Sequence, residues 1–143
     1  MMRLDPTYLS SIASQIATMS SVLGGFAITF FATVLVFSDT TKAARIAIAA
    51  SSIAAGLFIA AVGSSVDLII STHPEAPLSV RSKNLDWSRW VSVISFTGAV
   101  FALSIAIGAS GWMRSRPIGI VTSLSAFLSL ALFVSSLMIS RTA

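Results

Sequence analysis

Polar residues are bunched along this chain, and between the bunches run four long apolar stretches. The first spans about Leu9 to Phe37, the second about Ile46 to Ile70, the third about Trp90 to Ala109 and the fourth about Ile118 to Ile139. Each is long enough for a transmembrane helix, which needs roughly 20 residues to cross the hydrocarbon. Lipid offers no water to unpaired amides, so a helix is the form such a stretch takes. The pattern predicts an all-α polytopic membrane protein. A single domain over residues 1–143 would hold four transmembrane helices in an antiparallel bundle, assembled as a homo-oligomer around the first.

The connections are short, which sets sequential helices antiparallel as neighbours. Ser38 to Lys42 joins the first helix to the second. The longest link, Ser71 to Asp86, contains Pro74 and Pro77, which stop the second helix. Asp86 is the expected N-cap of the third. The last turn runs from Gly111 to Pro117, and Pro117 suits the first turn of the fourth helix. Trp87 and Trp90 open the third helix and Trp112 closes it. Tryptophan favours the headgroup level. The rise from Trp90 to Trp112 is about 33 Å, close to a bilayer core. The first stretch is too long for the apolar core of a signal peptide and reads as a retained helix.

Composition agrees with the pattern. Hydrophobic residues make up 55% of the 143 and charged residues 10%, with mean hydropathy +0.92. A chain this short cannot hide so much apolar surface in one aqueous core. Cysteine is absent and His73 is the single histidine, which leaves no thiolate or multi-histidine metal site within one chain. No nucleophile–base pair, phosphate loop or metal signature is present, so neither an enzyme nor a cofactor is expected. The net charge of +4 sits at segment ends, where it reads as topology and headgroup contact rather than nucleic-acid binding. Arg3, Arg81, Lys83, Arg89 and Arg141 fall on one side and Lys42, Arg45, Arg114 and Arg116 on the other. That balance leans toward cytoplasmic termini in a plasma (inner) membrane.

The first helix carries a stripe of small and hydroxyl residues. At about 100° per residue, Ser14, Thr18, Ser21, Gly25, Thr29 and Ala32 share one narrow face, with Ser11 and Thr33 at its edge. The opposite flank carries Ile16, Leu23, Phe30, Val34 and Phe37. Two readings fit. Small residues let helix backbones approach, and hydroxyls bond across helices. Four-residue rows of the same kind occur in the second helix (Ser52, Gly56, Ala60, Ser64) and the third (Gly98, Ala102, Ala106, Ser110). The other reading is a water-lined face. It would need several copies of the helix around an axis, as a symmetric oligomer provides.

The run Val22-Leu23-Gly24-Gly25-Phe26-Ala27 resembles the first-helix motif of the Orai calcium-channel family, Leu-small-Gly-Phe-Ala. Leu68 to Thr72, followed by Pro74-Glu75-Ala76, resembles the end of that family's second helix, and the helix count and order are similar. The resemblance implies a divergent, prokaryote-like relative that forms a homo-oligomeric channel with the first helix around the axis. Its pore-facing positions would fall at Ser14, Thr18, Val22, Phe26, Thr29 and Thr33, nearly the face found from periodicity. Val22 and Phe26 would then form an apolar gate. Thr33 stands where the family has its selectivity glutamate, Ser14 and Thr18 stand in its basic inner pore, and the acidic outer loop shrinks to Asp39. Calcium selectivity and store-operated gating are therefore not implied.

Asp67 is the one acid that falls within the second helix. An acid at membrane depth suggests an ion or proton site. Its nearness to His73-Pro74 favours an interfacial carboxylate, hydrated or paired with Arg81 or Lys83. His73 and Glu75 read as an exposed loop, and Arg114 and Arg116 beside Trp112 as headgroup contacts. Three functions follow in order. The first is a small homo-oligomeric ion-channel-like pore lined by Ser14, Thr18, Val22, Gly25, Phe26, Thr29 and Thr33. The second is a non-conducting accessory or scaffold subunit, bound to other membrane subunits through its stripes. The third is a small transporter using Asp67. The partners are the lipid bilayer, other copies of the chain and other membrane subunits.

Overall fold

The computed structural model describes residues 6–37, 41–73, 75–77 and 85–142, the side chains of 6, 37, 137 and 139–142 excepted. Among these residues all regular structure is α-helical. The helices are α1 (Pro6–Phe37), α2 (Lys42–Thr72), α3 (Asp86–Trp112) and α4 (Arg116–Thr142). Each is long and apolar enough to cross a membrane, which makes the chain an integral membrane protein with an all-α, four-helix fold.

The helices run past the apolar stretches, because their ends are set by capping groups rather than by hydropathy. Thr41 caps α2: the Ala44 N–H donates to its Oγ1 at 3.2 Å, and the Arg45 N–H to its carbonyl at 3.1 Å. Ser115 caps α4 in the same way, through the Ile118 and Gly119 amides, so Pro117 lies in the first turn. At α3 the Arg89 N–H donates to the Leu85 carbonyl at 3.0 Å. Leu85 therefore holds the cap position expected for Asp86. Asp86 sits one residue inside, where its carboxylate faces the helix's positive end and meets Arg89 at 3.8 Å. The Ser38 to Thr40 part of the first link and the 78–84 part of the longest one lie outside the described residues.

Small residues fill the interior and large ones the exterior. Among the described residues, eleven of the fourteen buried apolar side chains are alanines, and Phe58 is the one large side chain fully enclosed. Isoleucines, leucines and phenylalanines lie exposed on all four helices. In water that arrangement would forfeit the burial energy of the large side chains. Against lipid it forfeits nothing, and the small interior lets backbones approach.

The chain divides into two compact units, one holding residues up to Phe26 with Ala55–Ala99, the other Ala27–Ala54 with the chain from Val100 on. In the first, α2 and α3 run antiparallel. Asp67 meets Ser88, Ser65 meets Ser92, and Phe58 meets Phe96 edge-to-face at 6.2 Å. Helix α1 approaches at Gly24, where an added Cβ would lie 3.2 Å from Phe58 Cβ. In the second, α3 and α4 form a tight hairpin. The Thr122 hydroxyl reaches the Gly108 carbonyl at 3.3 Å, and Trp112 Nε1 donates to Ser123 Oγ at 3.0 Å. Gly111 and Gly119 are required there. A Cβ on Gly111 would strike Thr122 Oγ1 and lie 2.9 Å from the Ile118 carbonyl oxygen. One on Gly119 would lie 2.6 Å from the Trp112 ring.

The four-residue row in α3 is an internal packing face, with Ala102 and Ala106 buried. The corresponding row in α2 is not. Ser52, Gly56 and Ala60 are exposed, while Ala47, Ser51, Ala54, Phe58, Ala61 and Ser65 face inward. Helix α2 is small on nearly every side, so spacing alone could not tell its inner face from its outer one.

These contacts separate two kinds of glycine. Gly111→Ala should lower stability by about 1–3 kcal/mol, because the hairpin must open to admit the methyl group. Gly25→Ala has nothing within 4 Å of the new Cβ. It should leave stability unchanged or raise it by up to about 1 kcal/mol. Thermal unfolding in detergent, followed by helical circular dichroism, compares the two, and equal effects would overturn the assignment.

Candidate functional site

The stripe expected on α1 lies outside that helix's buried face, roughly 135° around the helix from it. Ala13, Ser20, Gly24, Ala27 and Val34 point inward. Ser14, Thr18, Ser21, Val22, Gly25, Phe26, Thr29, Ala32 and Thr33 are all exposed. The double glycine is thereby divided between two tasks. Gly24 gives Phe58 room, and Gly25 opens outward. The flank of Ile16, Leu23 and Phe30 is half-buried and Val34 is buried, which puts the bulky side toward the rest of the chain.

Three of the outward hydroxyls are tied to their own helix. Thr18 donates to the Ser14 carbonyl at 2.9 Å, Ser21 to the Ala17 carbonyl at 2.8 Å and Thr33 to the Thr29 carbonyl at 2.8 Å. A hydroxyl whose proton points back along the helix leaves its oxygen lone pairs outward. The face therefore offers acceptors, suited to a donor on another helix, to water or to a cation. Val22 and Phe26 interrupt it with bulky apolar groups one turn apart, 58% and 68% exposed.

Asp67 is half-buried and lies five residues, about 7.5 Å of rise, from the end of α2. Ser88 Oγ donates to its Oδ2 at 2.6 Å. Its suggested partners Arg81 and Lys83 lie outside the described residues. His73 and Glu75 meet through the Glu75 N–H, which donates to His73 Nδ1 at 3.3 Å. Among the described residues no three His, Cys, Asp or Glu side chains gather as a metal site would need.

Periodicity missed the buried hydroxyls. Ser65 and Ser92 are fully enclosed and share a 2.8 Å hydrogen bond between α2 and α3. Ser20 and Ser71 are also buried, each with its Oγ lacking a hydrogen-bond partner among the described residues. The available signal was a serine at an inward phase of an apolar helix, and it is hard to read where serine is common on every face.

Comparison of the chain with protein-family models, with curated proteins and with solved structures gives no match. The geometry of the chain is therefore what a functional reading has to work from.

The Ser65–Ser92 bond should carry a coupling energy of about 0.6 kcal/mol, the average for hydrogen bonds between membrane helices. A double-mutant cycle with Ser65→Ala and Ser92→Ala, read by unfolding in micelles, measures it. Strict additivity would mean that the two hydroxyls act independently.

Proposed function

We propose that the protein is one subunit of a homo-oligomeric membrane assembly, in which the hydroxyl faces of α1 from several copies surround one axis and form a narrow ion-channel-like pore. The observation that carries this reading is the direction of that face. The chain buries the other side of α1 and leaves Ser14, Thr18, Gly25, Thr29 and Thr33 exposed. Helix α4 is largely unburied as well, but its exposed serines (Ser125, Ser129, Ser135 and Ser136) are interleaved with Leu124, Phe127, Leu128 and Leu132.

In this reading ions pass Thr33, Thr29, Phe26, Val22, Thr18 and Ser14, and the Val22–Phe26 pair closes the path by dewetting. Thr33 would put a ring of hydroxyls, not carboxylates, at the place where the resembled Orai family has its glutamates. Weak selectivity among cations follows. The assembly would sit in the plasma (inner) membrane.

A second reading is a non-conducting accessory subunit whose outward small faces only bind other helices. The exposed Ser52–Gly56–Ala60 row of α2 favours it, since that row gives the chain a second face on which a neighbour's backbone could come close. A transporter built on Asp67 is third. Its carboxylate is already hydrogen-bonded to Ser88 near a helix end.

The cysteine-free chain permits a direct test. Single cysteines from Ser14 to Thr33, reconstituted in lipid, should react with a water-soluble thiol reagent at 14, 18, 25, 29 and 33 and stay protected at the inward positions 20, 24 and 27. Thr29→Trp and Phe26→Trp should each cut ion flux at least about tenfold while the oligomer still forms. Unchanged flux in both would sink the pore reading. Gly25→Leu should weaken assembly under the second reading, and a fully assembled Gly25→Leu protein would count against it.

A further inference from the structure

We infer that the end of the protein formed by the start of α2 and the α3–α4 turn is a docking face for anionic phospholipid headgroups. Each crossing reverses the chain, so Lys42 and Arg45 emerge at the same end as Arg114 and Arg116. All four are exposed, they belong to one compact unit, and none is in an ion pair among the described residues. The only acid the sequence places at this end is Asp39, which lies outside the described residues. The other segment ends differ in sequence: Arg3, Arg81, Lys83, Arg89 and Arg141 are accompanied there by Asp5, Asp67, Glu75 and Asp86, and among the described residues Arg89 lies 3.8 Å from Asp86. The chain's net positive charge is thus concentrated where the four exposed cations are.

Helix polarity makes that concentration costly without a counter-anion. Lys42 and Arg45 stand in the first turn of α2 and Arg116 in the first turn of α4, and neither turn holds an acid. Cations at a helix N-terminus oppose the positive end of the macrodipole. An anion here answers both the side chains and the two helix ends.

Trp112 fixes the depth. It is the last residue of α3, half-exposed, with its indole N–H held by Ser123 Oγ at 3.0 Å. An indole so placed sits at the headgroup level. Arg114 and Arg116 follow within four residues, so their guanidinium groups stand at the depth of lipid phosphates. Each cation near an anionic surface contributes about a fivefold preference.

The full-length protein would be reconstituted in phosphatidylcholine vesicles carrying trace spin-labelled phosphatidylglycerol or spin-labelled phosphatidylcholine. The motionally restricted fraction of each label gives their relative association. The wild type should prefer phosphatidylglycerol by about fivefold or more. The preference should fall toward one in the variant carrying K42Q, R45Q, R114Q and R116Q. It should persist with R45K, R114K and R116K, and with R89Q at the other end. Ionic strength of about 1 M, where the Debye length is near 3 Å, should reduce it in the wild type. Equal restriction of the two lipids in the wild type would overturn the inference, as would an undiminished preference in the quadruple Gln variant. Competition by soluble glycerol phosphate at constant ionic strength would also overturn it, since the face would then take free phosphate. None of these outcomes depends on whether ions flow through the assembly.

Discussion

Lipid tails are as apolar as leucine, so burying a leucine between two membrane helices gains little over leaving it in the bilayer. Much of this chain's structure follows from that limit. What holds the helices together is close approach, which gains dispersion contacts and short interhelical hydrogen bonds. Hence the interior is chiefly alanine, glycine and serine, with Val34 and Leu68 buried among them, and most isoleucines and leucines lie outside. Phe58 is the exception that depends on the rule. Its ring is enclosed because α1 has no side chain at Gly24, and because Phe96 meets it edge-on.

The same hydroxyl group has two roles here, one between helices and one along its own helix. Ser65 and Ser92 point inward and bond to each other across two helices. Thr18, Ser21 and Thr33 point outward and bond back to their own carbonyls. An inward hydroxyl adds specificity to the fold where, like Ser65 and Ser92, it finds a partner on the neighbouring helix. An outward one keeps its acceptor lone pairs available to whatever lies next to the helix. That distinction is what the proposed assembly rests on, since the outward row of α1 does not pack within the single chain. The four exposed cations at one end, without an ion pair among the described residues, extend the idea under the proposal that lipid headgroups meet them.

The division of labour between adjacent glycines and between ends follows from geometry. Gly24 and Gly25 are neighbours in sequence and 100° apart around the helix, so a Cβ added to one would meet Phe58 and a Cβ added to the other would have nothing within 4 Å. In the α3–α4 hairpin, Gly111 and Gly119 are needed although the backbone at both is ordinary helix, with no positive φ. Their role is the room they leave for Thr122 and Trp112.

The number of helices, their membrane character and their order were all legible in the sequence, because a bilayer demands a continuous apolar run and a run of that length is hard to mistake. The hydroxyl face of α1 was legible too, since Ser14, Thr18, Gly25 and Thr29 recur at the helical period. Whether that face turned inward or outward was not. Helices α1 and α2 are small on more than one side, and periodicity defines a face without saying what it faces. Only the tertiary structure decided that Gly24 is inside and Gly25 outside, that the row in α3 packs internally while the one in α2 does not, and that Ser65 finds Ser92. Those outcomes depend on which neighbouring helix arrives at which side, and that is a property of the packed helices together.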